Sequence, residues 1–161
     1  MSQELELDDF GAFYEATYRH AFRTALAILG EPAIADDAVQ DAYVAAFRSR
    51  DRFRGDAPAE AWLTRIVVNT AISAARKRRV RWTDPIPFDA TSRPGSDPVA
   101  RTSILSALGS LPPEQRAAVV LRYDRDLDYE SIARILGTSS GTVGSWLSRA
   151  LRRLERQLRD E

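Results

Sequence analysis

Apolar side chains recur at helical spacing along nearly the whole chain. Phe10, Phe13, Tyr14, Ala21, Ala25, Leu26 and Leu29 share one stripe, and Gly30 followed by Pro32 stops the pattern. Residues 33–48 resume it, with Ile34, Ala38, Ala42 and Ala45 on one face. Residues 49–58 (SRDRFRGDAP) predict a loop, because Gly55 and Pro58 interrupt and no apolar period survives. Residues 59–79 predict a third long helix, apolar nearly all round until Ala75, with burial along its middle and an emerging Arg-rich end. Shorter helices are expected over 101–109, 113–123 and 129–136, and a long one over 140–158. Pro112 and Pro113 fall at a helix start, where a missing N–H costs nothing. No strand alternation and no repeat is present, so the expected fold is all-α.

Residues 82–100 (WTDPIPFDATSRPGSDPVA) hold four of the eight prolines, with Asp, Ser, Thr and Gly filling much of the rest. Proline breaks helices and removes backbone donors, so this stretch predicts a linker. It divides the chain into two small helical domains, 1–81 and 101–161, each large enough for a helical core.

The sharpest local pattern is residues 128–154, DYESIARILGTSSGTVGSWLSRALRRL. A short helix carries Ile132, Ala133, Ile135 and Leu136, and Gly137 suits the left-handed turn that ends it. Ser139 or Ser140 can cap the next helix. There Val143, Leu147, Ala150, Leu151, Leu154 and Leu158 fall on one side, with Thr142, Ser145, Arg149, Arg152 and Arg156 on the other. A DNA-recognition helix needs such a division: an apolar back, small polar residues near its N-terminus for base edges, and arginines further along for phosphates. A plain helical hairpin with a wet Arg face explains less, because turn chemistry, periodicity and charge agree.

Composition changes the picture mainly by exclusion. The 161 residues contain no Cys and one His, His20. Disulfides, Cys-based zinc sites and thiol nucleophiles are ruled out, and no catalytic site, metal or cofactor is expected from the residues present. No apolar run approaches the length of a membrane span, and the acidic start (MSQELELDDF) is unlike a signal peptide, so a cytoplasmic protein without membrane insertion is expected. Net charge is zero, yet unevenly spread. Residues 1–60 hold 12 acids and 6 bases; residues 61–81 hold six bases and no acid; residues 140–159 hold five Arg against one Glu. Two separate basic bands at helix ends favour a polyanionic partner over solvated faces. On the second helix, Asp37, Gln40, Asp41 and Val44 form an acidic-polar stripe. Such a stripe suits either solvent or a docked partner helix.

In this order along the chain, these pieces resemble the extracytoplasmic-function (ECF) sigma factors, compact initiation subunits of bacterial RNA polymerase. Phe10, Phe13, Tyr14, Ala25, Leu26 and Gly30 resemble the family's first helix. Ala35-Asp36-Asp37-Ala38-Val39-Gln40-Asp41 with Ala46-Phe47 resembles the segment that docks on the polymerase's largest subunit. Phe53, Ala61-Trp62-Leu63, Asn69 and Arg76-Lys77-Arg78-Arg79 resemble the loop and helix that open and read the minus-ten element. Leu108, Leu111-Pro112, Gln115-Arg116 and the helix-turn-helix resemble the domain that reads the minus-thirty-five element. The resemblance spans roughly residues 10–155.

The resemblance implies core polymerase and promoter DNA as partners. Asp37, Gln40, Asp41 and Val44 would contact the core enzyme. Arg50, Arg52, Phe53, Arg54, Asn69, Arg76, Lys77, Arg78 and Arg79 would face minus-ten DNA. Ser139, Ser140, Thr142, Ser145, Arg149, Arg152 and Arg153 would face the minus-thirty-five element. Phe53 fits two roles equally, covering an unstacked base or anchoring its loop, while Trp62 is expected in the core. Ser73, Gly144 and Trp146 depart from the family pattern, where Asp, Lys and Arg are usual. A flexible tether would let each domain engage its own element, and would also let an anti-sigma factor clasp the two together. The competing readings are a stand-alone helix-turn-helix transcriptional regulator and a helical scaffold.

Overall fold

A computed structural model describes residues 8–78 and 106–160, and within them every regular element is helical. The helices are α1 (Phe10–Leu29), α2 (Pro32–Ser49), α3 (Ala59–Arg78), α4 (Pro113–Tyr123), α5 (Tyr129–Leu136) and α6 (Ser140–Arg159). One 3-10 turn, Arg50–Arg52, interrupts the segment expected to be loop. Residues 106–109 are also helical; the rest of the expected 101–109 helix, and the Pro-rich segment, lie outside the described residues.

The helix ends follow from local chemistry. Asp9 caps α1 by accepting from the Ala12 N–H at 3.1 Å. Gly30 closes the helix in the left-handed region at φ 76°, donating its N–H to Leu26 O at 2.7 Å. Pro32, expected only to stop α1, also starts α2, where its fixed φ is an asset.

In the N-terminal half, α1, α2 and α3 pack mutually. Phe13, Ala25, Ile28 and Leu29 of α1 meet a small-residue face of α2, and Leu63, Val67, Val68 and Ala71 of α3 close the core. The inward face of α2 is Ala35, Ala38, Val39, Ala42, Tyr43 and Ala46. Ala45 is exposed and Ile34 only half-buried, so the face lies rotated from the one the apolar spacing indicated. The reason is Tyr43: its hydroxyl pairs with Thr17 Oγ1 at 2.6 Å, and Thr17 donates to Phe13 O or Tyr43 as that pair allows. A buried tyrosine with a satisfied hydroxyl overrides a small alanine in deciding which side turns inward.

In the C-terminal half, α4 packs on α5 and α6, and α5 on α6. Ala117, Ala118, Leu121, Ile132, Val143, Leu147 and Ala150 are its buried centre. Arg116 is buried too, with a fractional exposure of 6%. Its guanidinium donates to Leu108 O (2.8 Å), Gly109 O (3.1 Å) and Leu111 O (2.9 Å), tying the turn before α4 to that helix. It also donates to Ile28 O, at the end of α1. Burial lowers its pKa to about 10, and backbone carbonyls supply the compensation that a buried cation needs.

The buried residues of both halves form one continuous cluster, with α4 resting on α1 and α3, and α5 on α3. No described helix is long and apolar enough to cross a membrane.

Candidate nucleic-acid and polymerase interfaces

The helix-turn-helix is built as its sequence indicated. Asp128 caps α5 by accepting from the Ser131 N–H at 2.7 Å, and that bond holds its carboxyl below the usual range. Gly137 turns left-handed at φ 67°, and the Thr138 N–H returns to Ala133 O at 2.9 Å. Ser139, not Ser140, caps α6, accepting from the Thr142 N–H at 3.1 Å. Ile132, Ala133, Val143, Leu147 and Ala150 lock the two helices together. Ser139, Ser140, Ser145, Arg149, Arg152 and Arg153 are exposed, and Thr142 is half-buried.

Further along α6 the apolar back runs out. Leu151 and Leu158 were expected inside, but they are 43% and 45% exposed. Leu154 is partly buried against the core. Among the described residues the last turns of α6 are covered on one side only, where Leu154 packs on the core and Ser110 donates to Gln157 at 3.0 Å. A Cβ at Gly144 would sit 3.5 Å from Tyr129 Cε2, an ordinary contact, so nothing in the structure requires glycine there. The Arg122 guanidinium lies 5.7 Å from the centre of the Tyr129 ring. Trp146 is half-buried.

The α3 helix is not apolar all round. Arg65, Asn69, Ser73, Arg76 and Lys77 are exposed and fall at spacings of three and four, forming one polar stripe. Ser73 lies on that same stripe. Asn69 donates its side-chain N–H to Ile135 O of α5 at 3.2 Å, and Arg76 forms an ion pair with Glu114 of α4. Arg78 pairs with Glu31 at 2.9 Å, holding the end of α3 to the start of α2. Arg79 lies outside the described residues.

In the segment before α3, Arg52 and Arg54 are exposed. Phe53 is half-buried, its ring centre 5.3 Å from that of Trp62. Arg50 leans on Phe47, its guanidinium 3.8 Å from the ring centre, and donates to Phe47 O at 2.7 Å.

On α2, Asp37, Asp41 and Val44 are exposed together. Gln40 turns inward, donating to the Tyr14 hydroxyl at 3.0 Å and approaching Asp36 at 3.4 Å. Asp36 accepts from Tyr18, whose pKa is pushed up to about 12, first by burial and then by that bond. Phe47 extends the outward stripe, 46% exposed, with Phe10 set edge-on beneath it at 5.2 Å. An aromatic in a helix with alternating small residues reads as core, so exposure of Phe47 was not legible from spacing.

The arrangement defines a two-part, all-helical DNA-binding protein with a helix-turn-helix at one end and an exposed polar–apolar stripe at the other. Residues 13–81 match the family model for sigma-70 region 2, and residues 101–154 match that for sigma-70 region 4. The chain is 36% identical over 153 residues to the ECF RNA polymerase sigma factor SigM of Mycobacterium tuberculosis, covering 92% of this chain and 76% of that protein. In shape it is similar to the sigma factor RpoE of Bartonella quintana, solved with the anti-sigma factor NepR. The TM-score is 0.78 with 26% identity, over 94% of this chain and 97% of that one. It is also similar to CnrH, solved with the cytosolic domain of CnrY: TM-score 0.70, 28% identity, 99% and 96% coverage. The chain belongs to the ECF sigma factors. It binds core RNA polymerase and directs promoter-specific initiation of transcription, as the family does.

Proposed function

We propose that this sigma factor divides its work among three surfaces, in a cytoplasmic protein with no catalytic step of its own. Residues 1–81 and 101–161 act as separate units on either side of the 82–100 linker. Asp37, Asp41 and Val44 form the core-polymerase docking stripe, with Phe47 as its apolar end. Gln40 supports it from within, since its amide holds the Tyr14 hydroxyl. The observation that carries this reading is the joint exposure of two carboxylates beside an uncovered Val44 and Phe47, 48% and 46% exposed. A polar rim around an apolar patch is the usual make-up of a specific protein interface.

Arg52, Phe53 and Arg54, with Asn69, Arg76 and Lys77 on the α3 stripe, serve minus-ten DNA; Arg50 and Arg78 flank them, and Arg79, next in sequence, is assigned to the same DNA. Phe53 resting on Trp62 supports the anchoring role for its ring, with Arg52 and Arg54 presented to the strand. Ser139, Ser140, Thr142, Ser145, Arg149, Arg152 and Arg153 face the minus-thirty-five element. Ser139 does so at one remove, as the cap that orients the first turn of α6. An anti-sigma factor is the expected inhibitor, supported by the likeness to a sigma factor solved with such a partner.

Run-off transcription with core polymerase tests the whole reading. Wild-type chain should direct initiation from a cognate promoter. Asp41→Arg should weaken core binding on the order of tenfold, about 1.4 kcal/mol, with its helical content unchanged. Tight, core-independent promoter binding would instead favour the stand-alone regulator. Unchanged core affinity of the variant would remove Asp41 from the docking stripe.

A further inference from the structure

In the second turn of α6 a tryptophan stands among residues assigned to the minus-thirty-five element. Trp146 comes four residues after Thr142, three before Arg149 and seven before Arg153. At about 100° per residue, these offsets bring all four side chains to one flank of the helix. Trp146 lies at the border between that flank and the apolar back of Val143, Leu147 and Ala150. Its indole is half-buried, yet it is not among the partly buried side chains that pack on the core, as Trp62 is. Among the described residues its ring meets no other aromatic and its N–H reaches no acceptor. A tryptophan that served only to fill the domain would lie against that core with its N–H paired.

We propose that Trp146 is a specificity-determining residue of the minus-thirty-five contact, whose ring reads the C5-methyl group of a thymine in the major groove. The proposal rests on the assignment of α6 to that element.

The chemistry follows from the neighbours. Ser139 Oγ accepts from the Thr142 N–H at 3.1 Å and donates to Thr142 Oγ1 at 3.0 Å, so both hydroxyls are taken up in the cap. Ser140 and Ser145 are exposed as small polar groups, and Arg149 and Arg153 carry charge further along. An indole offers neither the paired hydrogen bonds of Asn, Gln or Arg nor a charge for a phosphate. It offers a broad apolar edge, and the apolar group that the major groove presents is the thymine methyl. Trp146 is the seventh residue of α6, about 9 Å along the axis from Ser140 at about 1.5 Å per residue. A recognition helix that enters a groove about 12 Å wide by its N-terminal end brings such a position to base edges. The part of the ring that water covers in the free chain is then covered by the methyl group, which favours thymine over a base without one.

The test uses holoenzyme assembled from core polymerase and the full chain, with promoters carrying a randomised minus-thirty-five element. Wild type should select thymine at one position or two adjacent ones, on either strand. Trp146→Ala should lose that preference and keep the others. In a selected promoter, deoxyuridine in place of that thymine removes the methyl group alone. Wild type should bind the substituted DNA roughly threefold to fivefold more weakly, and Trp146→Ala should bind both DNAs equally. The salt dependence of Trp146→Ala should match that of wild type, unlike that of a variant lacking a phosphate contact. The wild-type comparison of the two DNAs needs no variant, so it decides the matter where Trp146→Ala fails to fold. Equal binding of thymine and deoxyuridine DNA by wild type overturns the proposal, and so does a thymine preference that survives in Trp146→Ala. A wild-type holoenzyme that selects no base at any position of the element removes the assignment of α6 itself, and Trp146 with it.

Discussion

The two helices proposed to face DNA carry the same kind of side chain in different circumstances. On α6 Arg149, Arg152 and Arg153 are exposed on the far side of an apolar back, Arg152 reaching only Ser148 of its own helix, and Ser139, Ser140 and Ser145 are exposed at its start. On α3 the stripe is exposed but two of its members are engaged, Asn69 with a carbonyl of α5 and Arg76 with Glu114, and Arg78 beside it pairs with Glu31. The difference lies in position within the molecule. The α6 helix is the last element, packed on one side only by α4 and α5, whereas α3 lies where the two halves meet. A basic run marks a helix face, and packing determines which cations on it are available to a phosphate.

The comparison breaks most completely at Ile132, which is fully buried between α5 and α6. Ile132→Ala should cost about 2–5 kcal/mol, a large share of the stability of a small domain. Urea unfolding followed by circular dichroism should show the loss, and run-off transcription should fall with it. Binding to core polymerase through the α2 stripe should persist in part. Retained promoter-directed transcription at normal stability would mean that the hairpin of α5 and α6 does not depend on that contact.

Arg149→Ala and Arg152→Ala sharpen the comparison at the next level. Each should weaken promoter binding of the holoenzyme and reduce the salt dependence by about one unit of slope, as expected for a lost phosphate contact. Binding measured across a salt series reads this directly. An unaltered slope in both variants would leave the open arginines of α6 as a solvated face.

The smallest effect concerns Tyr18 in the aromatic layer between α1 and α2. Its hydroxyl donates to Asp36, and its pKa stands near 12 against an ordinary 10.0. The folded chain therefore holds a proton that the unfolded chain releases between those values. That contribution is complete below pH 10 and disappears as pH rises through about 12. Tyr18→Phe should flatten the fall in stability over this window, as denaturation midpoints between pH 9 and 12 would show. An identical pH profile would show that Tyr18 titrates as it does in the unfolded chain.

Much of this was legible in the residues. The helices, the stop at Gly30, the left-handed turn at Gly137, a serine N-cap at 139 or 140 and the two faces of α6 up to Ala150 all follow from spacing and local hydrogen-bonding chemistry. Three features were not. The α2 helix buries Tyr43 and exposes Ala45, because a tyrosine with a hydroxyl partner outweighs a methyl. The α3 helix exposes Arg65, Asn69 and Ser73, because its mixed sequence has a polar stripe that a nearly continuous apolar reading passes over. Leu151 and Leu158 are exposed because, among the described residues, the last turns of α6 are covered only on the side of Leu154 and Gln157.

By itself, then, the sequence determined the class of every helix, the helix-turn-helix and the placing of opposite charge in opposite parts of a neutral chain. These depend on contacts between residues close in sequence, which the order of side chains specifies. Tertiary structure alone decided which polar residues are spent. Gln40 serves Tyr14, Arg116 serves four carbonyls including Ile28 O, and Asn69 serves Ile135 O. Each of these partners lies on another helix or across a turn. A long polar side chain reaches such a partner only after packing has brought its carbonyl or hydroxyl within about 3 Å.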